Sequence, residues 1–218
     1  MLKKIKDFLN KKDFASGQYW EERYKASGNS GAGSYNHLSQ FKAETLNNLV
    51  NTAGIKSIIE FGCGDGNQLT LSTYPKYIGL DVSVSAIRLC IDKFGTDLSK
   101  SFFLYHPDAF SDNGQLFKSD VAFSLDVLYH LVEKEVYETY LNHLFQSASK
   151  MVVIYAADIA IPQKSAHEFY REFTKDIEKK FPDWTLDQTI KNKYPAKSYE
   201  DEQGSMADFF IYVPARRP

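Results

Sequence analysis

Cysteine is scarce in this 218-residue chain, and long apolar runs are missing from it. Cys63 and Cys90 are its two cysteines; they make no disulfide framework and suit a reducing cytoplasm. No segment approaches the ~20 consecutive apolar residues of a membrane span. Met1 to Asp13 carries five lysines without the apolar stretch of a secretion signal, so the expected location is cytoplasmic. Neither charge is in excess: 26 Lys and Arg stand against 28 Asp and Glu, a formal net charge of -2. Such a balance gives no electrostatic bias toward nucleic acid or a membrane. Neither is expected as a partner, and a small molecule is. No histidine or acid cluster has a metal-ligand spacing, so no metal is expected.

Aromatic side chains are abundant, 16 Phe and 14 Tyr, enough to fill a core and leave some to line a pocket. The length suits one domain over 1–218, with a helical cap and Gly/Ser lid over 1–50 and a Rossmann-like core over 57–218, working as monomer or homodimer. Leu2, Ile5, Phe8 and Leu9 recur at helical spacing and predict a short amphipathic helix in the first dozen residues. Tyr19 to Tyr24 predicts a second, ended by the Gly/Ser run from Ser27 to Ser34. That run reads equally as a linker or as a lid ordered by ligand. Leu38, Phe41, Leu46, Leu49 and Val50 predict a third helix.

From residue 57, short apolar runs alternate with longer amphipathic ones, the pattern of an α/β fold with a mostly parallel sheet. Strands are expected near 57–62, 77–81, 102–105, 119–124, 150–156, 184–191 and 207–213, and helices near 66–72, 83–94, 133–148 and 166–181. The last two strands have no helix between them, which makes them an antiparallel pair at one edge.

The first strand runs into Glu60-Phe-Gly-Cys-Gly-Asp-Gly66, where Gly62, Gly64 and Gly66 let the backbone turn sharply and a ligand approach closely. The second ends on Asp81, nineteen positions after Gly62, where a carboxylate can accept from both hydroxyls of a ribose. The third is followed by Asp108, Ala109 and Phe110: an acid to accept from an exocyclic amine, an N–H to donate to a ring nitrogen, and an apolar wall, the groups an adenine needs.

These motifs, with Ser124-Leu-Asp126 after the fourth strand, resemble those of class I S-adenosylmethionine-dependent methyltransferases over residues 57–156. The resemblance implies a seven-stranded sheet of order 3-2-1-4-5-7-6 with strand 7 antiparallel, and S-adenosylmethionine as cofactor. It places Gly62, Gly64 and Gly66 at the methionine moiety, Asp81 at the ribose, and Asp108 with Ala109 at the adenine. Glu60 helps to hold the amino group, and Asp126 completes the cofactor set. A narrower similarity rests on Trp20-Glu-Glu-Arg-Tyr24, Asn29 to Tyr35, Phe41 to Ala43, Leu125-Asp-Val-Leu-Tyr-His130, Phe181-Pro-Asp-Trp184, Asn192 to Pro195 and Met206 to Phe210. It is to small bacterial methyltransferases, some linked to surface-polysaccharide or capsule biosynthesis, and implies O-methylation of a carbohydrate or phosphorylated precursor.

A sulfonium methyl is already activated, so a protein has mainly to align the acceptor and exclude water. A hydroxyl acceptor also needs a proton taken, and histidine suits that near neutral pH. His130 is the first candidate; if its segment is helical, it shares a face with Asp126. A packing or helix-capping role accounts for it equally well. His167 is the second, four residues before Arg171 on an expected helix, where the arginine can pair with a phosphate or carboxylate or join a surface ion-pair network. Tyr35 and His37 at the loop exit, and Tyr129, complete the expected substrate contacts. Two alternatives stand: a non-catalytic S-adenosylmethionine-binding protein, and an NAD-binding Rossmann oxidoreductase, which the absence of a Tyr-x-x-x-Lys pair disfavours.

Overall fold

Strands rich in buried β-branched and aromatic side chains dominate the middle of the chain. The computed structural model describes residues 14–163, 165–199, 201 and 203–215; the amphipathic helix expected in the first dozen residues lies outside them. One sheet contains β1 (Ile58–Phe61), β2 (Tyr77–Asp81), β3 (Lys100–Leu104), β4 (Ser119–Leu125), β5 (Ala148–Ala156), β6 (Trp184–Ile190) and β7 (Asp208–Pro214). Their order is β3-β2-β1-β4-β5-β7-β6. Neighbours among β1 to β5 are parallel, and β7 runs antiparallel to both β5 and β6. The sheet has the order and the reversed strand that the resemblance implies.

The sheet is covered on both faces, which is why its central strands read as continuous apolar runs. Ile59, Phe61, Ala122, Val152 and Ile154 pack under α4 (Lys134–Gln146) and α5 (Phe173–Lys180). Ile58, Val121, Phe123, Val153 and Tyr155 pack under α2 (Asn36–Thr52) and α3 (Val84–Phe94). At the edge, β6 exposes Thr185, Asp187 and Thr189, polar side chains that discourage further strand pairing. A further helix, α1 (Ser16–Lys25), lies beside the C-terminal ends of β1, β2 and β4, where Ser16, Trp20 and Tyr24 line a cavity with Gly62, Asp81 and Asp126. Glu21 docks it by accepting from the Ser83 hydroxyl and from the N–H and hydroxyl of Ser85, at the N-terminus of α3, where a carboxylate is favoured.

Two helices differ from expectation. In place of a helix over 66–72 there is a 3-10 turn, Gln68–Leu71. Asn47 of α2 stops it there: its amide donates to the Leu71 carbonyl and accepts from the Thr73 N–H. Of the helix expected over 166–181, only Phe173–Lys180 forms. The preceding residues give their polar groups to the loop after β4 instead. The Phe169 N–H donates to the Tyr129 carbonyl, His130 Nδ1 to the His167 carbonyl, and Arg171 to the Val132 carbonyl. Tertiary pairing has overridden a local helical pattern.

Candidate functional site

The C-terminal ends of β1, β2 and β4 open into a cavity of about 370 Å³, a size suited to a small ligand. Glu60, Gly62, Gly64, Asp81, Asp108 and Asp126 line it. The glycine turn is built by backbone conformation: Gly62 and Gly64 have φ of +85° and +57°, the region that penalises a side chain. A Cβ at Gly62 would lie 2.5 Å from Val127, and one at Gly64 2.4 Å from the Ser30 hydroxyl. Asp81 holds this turn to the second strand, Oδ2 accepting from the Gly64 N–H and Oδ1 from the Ser83 N–H, each at 2.9 Å. Burial raises its carboxyl to about 6 against the pull of those N–H groups. Burial likewise raises Glu60 to about 7, opposed by the Tyr77 hydroxyl at 2.7 Å and by the charge of Lys42.

The Gly/Ser run is fastened to the same turn. Asp65 accepts from the Ser30 N–H and the Tyr35 hydroxyl, its own N–H donates to the Ser30 hydroxyl, and Asn67 donates to the Ser34 carbonyl. Two buried acceptors on the cavity wall, Gln68 Oε1 and Glu133 Oε2, have no hydrogen-bond partner among the described residues. A ligand carrying N–H or O–H donors suits them, since leaving such groups unpaired costs about 1–3 kcal/mol each.

Lys42 is a wall residue that the sequence reading missed. It is buried to 1% exposure and its Nζ lies 2.6 Å from Asp126 Oδ2. The signal was present: Lys42 falls four residues from both Leu38 and Leu46, on the face of α2 that is otherwise apolar. Asp126, at φ +60°, also accepts from the Tyr129 hydroxyl at 3.0 Å. It stands between the first cavity and a second one of about 490 Å³. Trp20, Ser30 and His130 share that boundary.

Beyond the boundary lie Tyr129, Tyr170, His167 and Glu168. His130 sits in a 3-10 turn, Leu128–His130, and does not bond to Asp126. Its Nδ1 is 3.0 Å from the His167 carbonyl, which can only accept, so Nδ1 carries the proton and Nε2 keeps its lone pair. Burial pulls the imidazole down to about 4 against that hydrogen bond, which keeps it neutral near pH 7.

Other expected site residues are placed differently. Gly66 is outside the cavity lining; a Cβ there would meet Phe94 and Cys90, so it serves the packing of α3. Asp108 is exposed at the cavity rim. The Ala109 N–H, offered to an adenine by the sequence reading, donates to the His106 carbonyl of its own 3-10 turn. Phe110 packs against Phe61, Tyr105 and His143. Tyr35 and His37 line neither cavity; Tyr35 braces the glycine turn through Asp65, and His37 Nε2 bonds to the Gln203 carbonyl. Arg171 does not share a helical face with His167. Its guanidinium stacks on Tyr137 and Phe169, 4.4 and 4.3 Å from the ring centres, and donates to the Val132 carbonyl.

Comparison with known proteins gives matches at the level of structure. No family model matches the sequence, and no curated protein does. The N-methyltransferase NodS from Bradyrhizobium japonicum WM9, solved with S-adenosyl-L-homocysteine, superposes with a TM-score of 0.69 at 16% identity, over 92% of this chain and 99% of that one. Magnesium protoporphyrin IX methyltransferase (ChlM) from Synechocystis PCC 6803, also with bound S-adenosylhomocysteine, gives 0.61 at 14% identity over 99% and 100%. The small RNA methyltransferase HEN1 gives 0.57 at 17% identity over 84% of this chain and 26% of that one. Proteins named for a small RNA and for a porphyrin thus share this architecture, so the fold leaves the class of acceptor open, nucleic acid included. Among the described residues no helix is long and apolar enough to cross a membrane. By sheet order, by the reversed seventh strand and by these superpositions, the chain has the fold of class I S-adenosylmethionine-dependent methyltransferases.

Proposed function

We propose that the protein is a cytoplasmic methyltransferase that uses S-adenosylmethionine and methylates a hydroxyl of a small polar acceptor, a carbohydrate or a phosphorylated surface-polysaccharide precursor. The observation that carries the reading is the pair of cavities meeting at Asp126 and His130. One has the glycine turn, the strand-end acid and the orphaned acceptors for the cofactor; the other is a separate space for an acceptor. S-adenosylmethionine supplies a sulfonium methyl group, activated before it binds. Asp81 would accept from the ribose hydroxyls, and Gln68 Oε1 and Glu60, both on the cavity wall, would receive an amine. Glu133 Oε2 is a further acceptor in the same cavity, in reach of a role the sequence reading gave to Asp108.

Lys42 fixes Asp126, which in turn holds Tyr129, between the two spaces, and Trp20 with the fastened Gly/Ser run walls both, so these residues would orient the two ligands and limit the water beside them. His130, with Nε2 unprotonated, can accept a proton from a hydroxyl acceptor. Polar groups around the second cavity, among them Arg23, Ser198 and Tyr199, suit a hydroxyl-rich molecule. The test is conversion of S-adenosylmethionine to S-adenosylhomocysteine with a panel of sugar nucleotides and phosphorylated sugars. Turnover with one of them supports the proposal. Tight cofactor binding that no acceptor of this class turns over, with turnover on an RNA or an aromatic macrocycle instead, overturns the acceptor assignment.

A further inference from the structure

The loops after β4 and β5 bring together three side chains that the proposed methyl transfer does not require as a set. One potential ligand atom from each of His130, His167 and Glu168 lies within 4.8 Å of the others. No spacing in the sequence could show this, because 37 residues separate the histidines. All three side chains line the second cavity.

The surroundings orient each group. The His167 carbonyl fixes the proton on His130 Nδ1 and leaves Nε2 as the donor atom. A histidine whose outer nitrogen donates to a backbone carbonyl is the usual arrangement behind a metal-binding imidazole. Glu168 Oε2 accepts from the Ser165 hydroxyl at 3.1 Å and from the Tyr199 hydroxyl. That leaves Oε1 turned toward His167 Nε2, 4.0 Å away. Aromatic rings hold the imidazoles: Tyr19 stacks on His167 and Trp20 meets His130 edge-on, both with centres 4.8 Å apart. The oriented carboxylate and the tautomer-fixed histidine are separate observations; the His130 and His167 rings lie nearly parallel with centres 5.8 Å apart, so the His167 ring must turn for its lone pair to meet theirs.

We propose that His130, His167 and Glu168 form a binding site for a divalent transition-metal ion at the wall of the second cavity. Two imidazoles and one carboxylate suit zinc, cobalt, manganese or ferrous iron and discriminate against magnesium, which prefers oxygen ligands. Bonds of about 2.0–2.2 Å draw such ligand atoms to within about 3.5 Å of one another, so the three must contract by roughly an ångström. His167, with a third of its side chain exposed, is the group that has to move, turning away from its stack on Tyr19. Three protein ligands leave positions open on the cavity side for an oxygen of the acceptor. That use of the ion rests on the proposed function, and there it would replace proton acceptance by His130, whose Nε2 lone pair the ion takes up. The bound ion would acidify the acceptor hydroxyl, and its proton would pass to solvent water. The binding of the ion does not rest on that reading.

The test titrates the full chain, purified without a polyhistidine tag, with Zn²⁺ and with Co²⁺, following heat and the visible cobalt spectrum. The expected result is one equivalent bound with micromolar or tighter affinity, with cobalt bands of a site of low coordination number. His167→Ala and Glu168→Gln should each weaken binding by at least about tenfold while leaving the circular dichroism and the affinity for S-adenosylhomocysteine unchanged. The glutamine keeps the hydrogen bonds of Glu168, so its folding is the safer control. Absence of stoichiometric binding, or equal binding by wild type and both variants, overturns the site and leaves His167 and Glu168 as neighbouring side chains of the cavity wall. Failure to bind S-adenosylhomocysteine in the same samples would count against the proposed function alone.

Discussion

Lys42→Met removes a buried cation from a boundary that carries both cavities. Lys42 is 1% exposed, its ammonium lies 2.6 Å from an Asp126 carboxylate whose side chain is 14% exposed, and it sits 5.3 Å from the centre of the Tyr155 ring. Methionine fills nearly the same volume, so the loss is mainly electrostatic. Breaking a buried ion pair by removing one partner costs about 3–5 kcal/mol, because the other charge is left desolvated. Here the Tyr129 hydroxyl still donates to Asp126 and some water reaches it, so about 2–4 kcal/mol is expected. For a chain of this size that is a fall in Tm of roughly 5–15 °C. Asp126→Asn alone should also destabilise, by stranding the lysine, whereas the double variant should recover at least about 1.5 kcal/mol of the summed losses. Urea unfolding of the four proteins measures the cycle. Additive losses within about 0.5 kcal/mol, or a Lys42→Met cost below about 1 kcal/mol, would show that the two groups are not coupled as a buried ion pair.

The other predictions concern ligands. Asp81→Asn should weaken S-adenosylhomocysteine binding by about ten- to a hundredfold, the loss of a charge-assisted hydrogen bond or two, read by calorimetry; a change below about threefold contradicts the ribose assignment. His130→Ala should lower turnover with cofactor affinity nearly unchanged, and equal losses of affinity in both variants would refute the division of roles. Affinity for the cationic cofactor should depend on pH. Glu60 and Asp81 are raised by burial to about 7 and about 6, so both are protonated at about pH 5 and ionised at about pH 8. Binding should strengthen over that range, about tenfold for a group one unit above the starting pH. Stability of the ligand-free protein should move the opposite way, since folding favours the protonated acids: that contribution is present below about pH 4 and lost as pH rises through 6 to 7. Calorimetry and thermal melts across the range check both signs, and affinity that is flat or falls with pH contradicts them.

Much of the frame was legible because its signals are local. The run Ile58-Ile59 into alternating glycines marks strand, turn and ligand approach within ten residues, and Asp81 falls at a spacing set by two parallel strands and the turn that joins them. The turn chemistry around 66–72 was not legible, since Asn47 from another helix ends that turn. The 166–172 segment misled for the same reason: its periodicity is helical, but its polar groups pair with residues 129–132. Lys42 could have been found as a lysine on an apolar face, though not its partner 84 positions away. Glu168 read only as a partner in a surface ion-pair network, because His130, which it lies near, comes from a different loop.

The central claim is that the cavity over the glycine turn receives S-adenosylmethionine, and calorimetric titration of the full chain tests it most directly. The expected result is one equivalent of S-adenosylhomocysteine bound with micromolar affinity, displaced by S-adenosylmethionine, and no heat on addition of NAD. Tight binding of NAD with no binding of either sulfur ligand would contradict it.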